Sequence, residues 1–358
     1  SRAGMTEAVA IEHRTGEIRR QSVRKVSVDE HNNPAMLVTD DRPVLVASAQ
    51  HNTDSLVRVY RSEGPHDLGS LTHLADVTFP GSTTYAQLVH RPGTDQVALM
   101  TRSTDGNSWW VCRSSDWGET WDTPRRFTTQ PYMTYRANGD TLHFVTTQHP
   151  TSTTTCVMMY FQLDASTGAI TDAAGATAAN LWDYTAPANP GTALISSGSI
   201  TTIGSWTDPD SARLYDVAPD GSIIIGTFTE PVNASTVATY KVLRRSGATW
   251  TEEPLTTSGV SVGYYESVYN GGACFGADAD TVYLVREDAG VWTLERWRQS
   301  AGAWERHATL LTRSDGTKLM RPWVPTGGES RKVVCQVVHR YSPTTFTDYL
   351  TDLVILDQ

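Results

Sequence analysis

Along most of the chain apolar and polar residues alternate with a period of two, in runs of about five residues. Ala35–Thr39, Val44–Ser48, Leu56–Tyr60, Val97–Thr101 and Trp109–Arg113 are examples, each bounded nearby by Gly, Asp, Asn, Ser or Pro. The pattern predicts short antiparallel strands, and no amphipathic run of helical length competes with it. On the order of 20 such strands must hide their edges. Their grouping suggests how, because units recur at about 33–75, 83–127, 130–170, 211–255, 265–310 and 320–356. A repeat of roughly 40–50 residues is that of a four-stranded propeller blade. The stretch 171–205, rich in Ala, Thr, Gly and Ser, interrupts the series and reads as a long loop or a degenerate seventh blade. Residues 7–26 predict a hairpin around Thr15 and Gly16, whose strands are expected to close the ring against the C-terminal unit. The fold expected is therefore all-β: a single β-propeller of four-stranded antiparallel blades, seven of them with six as the alternative. Ser1–Gly4 ahead of Met5 read as a remnant of expression, so residues 1–5 are set aside and 6–358 taken as one domain.

Composition agrees with that reading. The 358 residues are 39% hydrophobic and 19% charged, with 27 Gly and 17 Pro, a balance poor in helix formers. Eleven Trp, 14 Tyr and 7 Phe supply the bulk of a packed core and exclude a disordered chain. A net charge of −10 argues against a nucleic-acid partner, and no run approaches the roughly 18 apolar residues of a membrane span. Neither nucleic acid nor membrane insertion is expected. Cys112, Cys156, Cys274 and Cys335 stand far apart in strand-like runs and read as four buried thiols. No cofactor or metal is assigned.

The most specific motif is Ser114, Asp116, Gly118, Thr120 and Trp121, which fits S-x-D-x-G-x-T-W. This Asp-box is a turn in which the Ser and Asp side chains hold backbone amides, Gly takes a positive φ and Trp packs between sheets. Trp117, inside the turn, is expected at the surface. Weaker echoes stand at Ser246–Trp250 and Ser300–Trp304. Other segments join it in order: His31–Ala35, Gln50–Asp54, Tyr60–Ser62, Thr83–Tyr85, Pro131–Tyr135 with Leu142–Phe144, and His149 with Pro150. Tyr215–Val217, Tyr265 and Glu266 with Asn270–Gly272, Val282–Leu284, Arg321–Pro325, Tyr341 and Thr347–Tyr349 follow. Over roughly 30–352 the chain resembles the BNR-repeat propellers related to ulvan lyases. The resemblance implies a propeller and a carbohydrate-facing function, and leaves the reaction to the site.

Loops leaving the innermost strands of a propeller meet at its centre, so residues recurring at those places are the candidates. Leading the inner strands stand His31, Tyr85, Tyr132, Tyr135, Tyr215, Tyr265 with Glu266, and Arg321; at exits of second strands stand His51, Arg102, His149 and Arg340. His, Tyr and Arg suit β-elimination of a uronic-acid polysaccharide. Arg neutralises the sugar carboxylate and acidifies the neighbouring C–H, a His or Tyr takes that proton, and a second group protonates the leaving oxygen. His51 or His149 is expected as base, Arg102 or Arg321 as carboxylate partner, and Tyr85, Tyr135 or Tyr215 as acid. His31, Gln87, Tyr132, Tyr265, Glu266 and Arg340 are expected to bind substrate, and the partner is an acidic polysaccharide. Against this stand plainer roles: His31 and His51 as turn caps, His143 as a satisfied strand histidine, and the tyrosines as packing or stacking residues.

Two other readings compete. Gln87 occupies an inner-strand position where a lyase is expected to present His, which fits a carbohydrate- or receptor-binding propeller of a larger or viral tail assembly. A sialidase-like hydrolase would need a Tyr–Glu pair on one face, whereas Tyr265 and Glu266 are adjacent and point to opposite faces of a strand. Extracellular or virion-associated placement is the corresponding expectation.

Overall fold

The computed structural model describes residues 5–11, 15, 17–27, 29, 31–148, 155–184, 190–207, 212–229, 238–259, 272–325, 332–341 and 349–357. Among these every long element is a strand, and the helical pieces are three short 3₁₀ turns. The chain forms two compact units, one of residues 1–131, 165–169 and 179–196, the other of 132–164, 170–178 and 197–358.

In the first unit β1 (Met5–Ile11) and β2 (Ile18–Lys25) make a two-stranded sheet. A four-stranded meander follows: β3 (Ala35–Leu37), β4 (Leu45–Ser48), β5 (Leu56–Arg61) and β6 (Thr72–Thr78). A second consists of β7 (Thr83–His90), β8 (Val97–Ser103), β9 (Ser108–Ser114) and β10 (Arg125–Thr128). The two meanders pack face to face through Leu45, Val57, Val59, Leu88, Leu99 and Trp110, and their first strands β3 and β7 adjoin. The hairpin expected over residues 7–26 forms, with Ile11 paired to Ile18. Among the described residues β1 and β2 pair only with each other, and Ala8, Ala10 and Val23 seat on Val44, Val46 and Tyr60 of the first meander. The small residues of β1 fit that patch, while the arginines of β2 face outward or, at Arg24, reach Gln50 Oε1 at 3.0 Å.

The second unit opens with β11 (Tyr132–Asn138), β12 (Thr141–Thr147) and β13 (Thr155–Asp164). These are joined in one sheet by β14 (Ala169–Thr171), β15 (Thr177–Asn180) and β16 (Thr201–Thr207). The Ala- and Thr-rich stretch thus adds strands to an existing sheet and makes no blade of its own. Two meanders come next: β17 (Ala212–Val217), β18 (Ile223–Thr229), β19 (Ala238–Ser246) and β20 (Thr249–Gly259), then β21 (Ala273–Phe275), β22 (Thr281–Asp288), β23 (Val291–Ser300) and β24 (Ala303–Arg313). The last sheet is β25 (Lys318–Trp323), β26 (Lys332–Tyr341) and β27 (Tyr349–Asp357). The echoes of the Asp-box are hairpin turns: Ser300 pairs with Ala303 across Ala301 and Gly302, both at positive φ as the twist of a two-residue loop requires.

In this unit the first strands β11, β17, β21 and β25 adjoin in series. One side chain ties them. The Arg136 guanidinium on β11 donates to the carbonyls of Val324 (2.9 Å) and Phe275 (2.6 Å) and lies 3.3 Å from Asp216 on β17. Burial raises the Asp216 carboxyl to about 6, although Arg136 and the amides of Phe275 and Val217 pull the other way. All four cysteines are free and buried, as expected.

The Asp-box turn closes as its motif implies. Ser114 Oγ accepts from Gly118 N at 2.8 Å, Asp116 Oδ1 accepts from Thr120 N at 2.9 Å, and Gly118 has φ +89°. Trp117 corrects the sequence reading, being only 5% exposed. Its own positive φ of +54° turns the indole into the core, where Nε1 donates to the Pro43 carbonyl at 2.9 Å.

Candidate functional site

Within the first unit the segment before β3, the β4–β5 loop and the start of β7 come together. Backbone bonds from Asn52 N to Thr83 O (3.2 Å) and from Ala86 N to Asn33 O (3.4 Å) hold them. At the meeting point lies a carboxylate that the sequence reading overlooked, Asp29. Its Oδ1 accepts from His31 Nδ1 and its Oδ2 from His51 Nδ1, each at 2.8 Å. The two imidazoles stack with centroids 4.2 Å apart and planes 21° from parallel. Burial opposes ionisation of Asp29, but hydrogen bonds from both histidines hold its carboxyl well below the usual range.

The histidines differ at their far nitrogens. Asn52 Nδ2 donates to His51 Nε2 at 2.9 Å, so both nitrogens of His51 are engaged. His31 Nε2 has no hydrogen-bond partner among the described residues, and its ring lies 6.0 Å from Tyr85. In the neutral tautomer with Nδ1–H on the carboxylate, the lone pair of His31 stands at Nε2.

Tyr85 has φ +57° and sits where the β7–β8 register slips between Thr84 and Ala86. Such a bulge re-aims a side chain. The buried Thr101 hydroxyl donates to the Tyr85 carbonyl at 2.7 Å, satisfying the displaced backbone. The buried Arg102 guanidinium lies 4.9 Å from the Tyr85 ring centroid, and Trp109 stacks beyond it at 6.5 Å. A cationic, a phenolic and an imidazole group thus stand side by side. Gln87 follows on β7, half-buried and paired in register with Met100.

Three ligand atoms from Asp29, His31 and His51 lie within 4.8 Å of one another. A metal would need the ring lone pairs to converge at about 2.0–2.1 Å. The near-parallel rings instead run them side by side onto the two carboxylate oxygens, an arrangement made for N–H donation.

Of the expected residues, His31, His51, Tyr85 and Arg102 are brought together, with Gln87 two positions along. Tyr132, Tyr135, Arg321 and Arg340 belong to the second unit. There the Tyr135 ring packs 5.0 Å from Phe144, and burial pushes its phenol up to about 12. Arg340 is exposed on β26, and Arg321 is exposed on β25. Tyr215 lies where the β17–β18 register slips, its side chain outside the described residues, as are His149, Tyr265 and Glu266 altogether. Tyr85, Tyr215 and Arg321 therefore share a feature: each falls at a register slip in the first strand of its sheet. Asp29 has only its spacing from His31 as a sequence signal, and nothing in the chain pattern marks Asn52 as the group that occupies His51.

His143 takes the plainer role weighed for it. It is 5% exposed and its Nδ1 accepts from the Tyr160 hydroxyl at 2.7 Å, which in turn accepts from Arg245 at 2.8 Å. Burial, then the Arg245 charge, lower the imidazole to about 4. A cavity of about 450 Å³ beside the Asp-box turn shares no residue with the His31 cluster. Its Arg113 is held by Asp122 and the Trp182 carbonyl and stacks 3.7 Å from Tyr184, so its polar lining serves the fold.

Residues 7–258 match the model of a family described as BNR repeat-containing. No curated protein sequence matches the chain. Among solved structures, an ulvan lyase of a new polysaccharide-lyase family, bound to -[GlcA(1-4)Rha3S]-, superposes with a TM-score of 0.66 at 13% identity, covering 99% of this chain and 90% of the other. A second ulvan lyase structure of that family gives 0.65 at 14%, with the same coverage. Kuenenia stuttgartiensis hydrazine synthase gives 0.50 at 10%, over 98% and 89%. These likenesses establish a shared fold.

Proposed function

The chain belongs to the BNR repeat-containing family, and from that footing we propose a carbohydrate-active protein whose larger sheets are propeller blades and whose reaction is β-elimination on a uronic-acid polysaccharide. The observation that carries the reading is the contiguity of Arg102, Tyr85 and the Asp29-anchored His31. The ulvan lyase likeness adds support for the substrate class.

In this reading Arg102 faces the uronate carboxylate and stabilises the charge that develops as the neighbouring C5–H is removed. His31 Nε2 takes that proton, while Asp29 holds the ring's tautomer and steadies the imidazolium formed. The C5 electron pair forms the C4–C5 double bond, the C4–O bond breaks, and the Tyr85 hydroxyl gives its proton to the departing oxygen. Proton return from His31 to Tyr85 through solvent restores both groups. His51, with both nitrogens engaged, is a positioning residue; the base role moves from His51 to His31.

Gln87 favours a second reading, non-catalytic sugar binding, because an amide stands where a further imidazole was expected. Incubation with glucuronan, alginate, polygalacturonate and ulvan separates the two. The far-ultraviolet absorbance of an unsaturated uronate is expected on at least one polymer and is lost in His31→Ala. No absorbance on any polymer, with retention on a polysaccharide gel, would sink the lyase reading.

A further inference from the structure

Ten of the eleven tryptophans are buried or half-buried, and one is not. Trp323 is 52% exposed, on β25, one of the adjoining first strands of the second unit. Pro322 and Val324 are buried, while Arg321 and Trp323, two residues apart, are both exposed.

The backbone that carries them is held at both ends. Arg321 has φ +47° within the register slip between Met320 and Trp323. Gly272, at a φ of +104° that favours glycine, lies against the Arg321 backbone, where a Cβ would stand in ordinary contact at 3.4 Å from N and Cα. Gly272 is itself fixed by the buried Tyr240 hydroxyl, which accepts from its amide at 2.9 Å and donates to the Val285 carbonyl at 2.7 Å. Beyond Trp323, the Val324 carbonyl is bonded by Arg136. An exposed indole normally costs solubility, and a non-glycine residue at positive φ costs backbone energy. Their conjunction on a rigid strand is the make-up of a recognition surface: a flat aromatic face for the apolar side of a sugar ring, with a guanidinium beside it for an anionic substituent.

We propose that Trp323 and Arg321 form a subsite for an acidic pyranose residue, the indole stacking on the ring and the guanidinium pairing with its carboxylate. The subsite rests on the acidic-polysaccharide reading above, but needs no cleavage.

The test is calorimetric titration with a glucuronan tetrasaccharide and with its carboxyl-reduced counterpart, the unsaturated-uronate absorbance being followed on the same samples. Trp323→Ala should weaken binding of the acidic sugar about 10-fold, and Trp323→Phe should recover part of it. Arg321→Gly removes the charge at a φ that glycine adopts readily, and should weaken the acidic sugar about 10-fold while leaving the reduced one unchanged. Unchanged affinity in Trp323→Ala, or no binding of either sugar by the wild type, would overturn the subsite. Equal wild-type affinity for the two sugars would overturn the role of Arg321. Binding that Trp323→Ala weakens, with no chromophore formed, would support the subsite as a binding site and show that this sugar is held without being cleaved.

Discussion

Two clusters in this protein use the same side chains to opposite ends. One sets His31 and His51 on Asp29 with Tyr85 and Arg102 alongside; the other sets His143 on Tyr160 with Arg245 alongside. In the second the Gly221 turn closes over the pair, and a Cβ there would fall 2.2 Å from His143 Nδ1. The imidazole is thereby kept neutral and dry, a part of the core. In the first, the bulge at Tyr85 and the partial exposure of both histidines leave one ring nitrogen facing outward. Residue type does not separate the two clusters; what the last ring nitrogen meets does.

The comparison can be broken most sharply by exchanging effects. His31→Ala should lower the rate of unsaturated-uronate formation about 10³-fold with little change in stability, whereas His143→Ala should spare the rate and lower the unfolding midpoint. The reverse outcome would interchange the two roles. On the stability side, Gly221→Ala should cost about 3 kcal/mol or more, because a methyl must displace His143 from a turn at φ +68°; chemical denaturation measures it. The pH dependence sharpens the same point. An unfolded histidine takes its proton near 6.5, while folded His143 resists until about 4. Protonation across that window favours the unfolded chain, so its stabilisation is complete above 6.5 and lost as pH falls towards 4. The loss is about 3 kcal/mol and should vanish in His143→Gln when midpoints are compared across the window. Smallest, under the proposed assignment of His51 as a positioning residue for Asp29, is the effect of His51→Ala, about 10-fold on rate. A loss as large as that of His31→Ala would return the base role to His51.

Much of the architecture was legible because strands and hairpins are written locally. Period-two runs and paired turn residues mark β3 to β10 and β17 to β24 closely, and the Asp-box announces its own hydrogen bonds. The strands within 171–205 escaped because Ala, Thr and Ser give no contrast between faces, and their place in the sheet is fixed by pairing, β15 with β14 and β16 with β13. Trp117 misled since turn residues usually face water, and only its positive φ sends the indole inward. Of the site, His31, His51, Tyr85 and Arg102 could be picked by type and place. Asp29 and Asn52 could not, because their importance lies in which nitrogen each one touches. The slips at Tyr85, Tyr215 and Arg321 are properties of two strands at once and have no single-strand signature.

Arg136 has a kinetic side as well. Its bond to the Val324 carbonyl joins positions 188 residues apart, and that to Phe275 joins positions 139 apart. Loops of that length close slowly, and a fold that depends on them has a high contact order. The guanidinium can find its acceptors only after the sheets that carry them have formed, so it belongs to the latest steps of assembly. Interactions made after the transition state act mainly by slowing unfolding. Arg136 is in that sense a latch: it does little to hasten the protein's arrival at its native state, and much to keep it there.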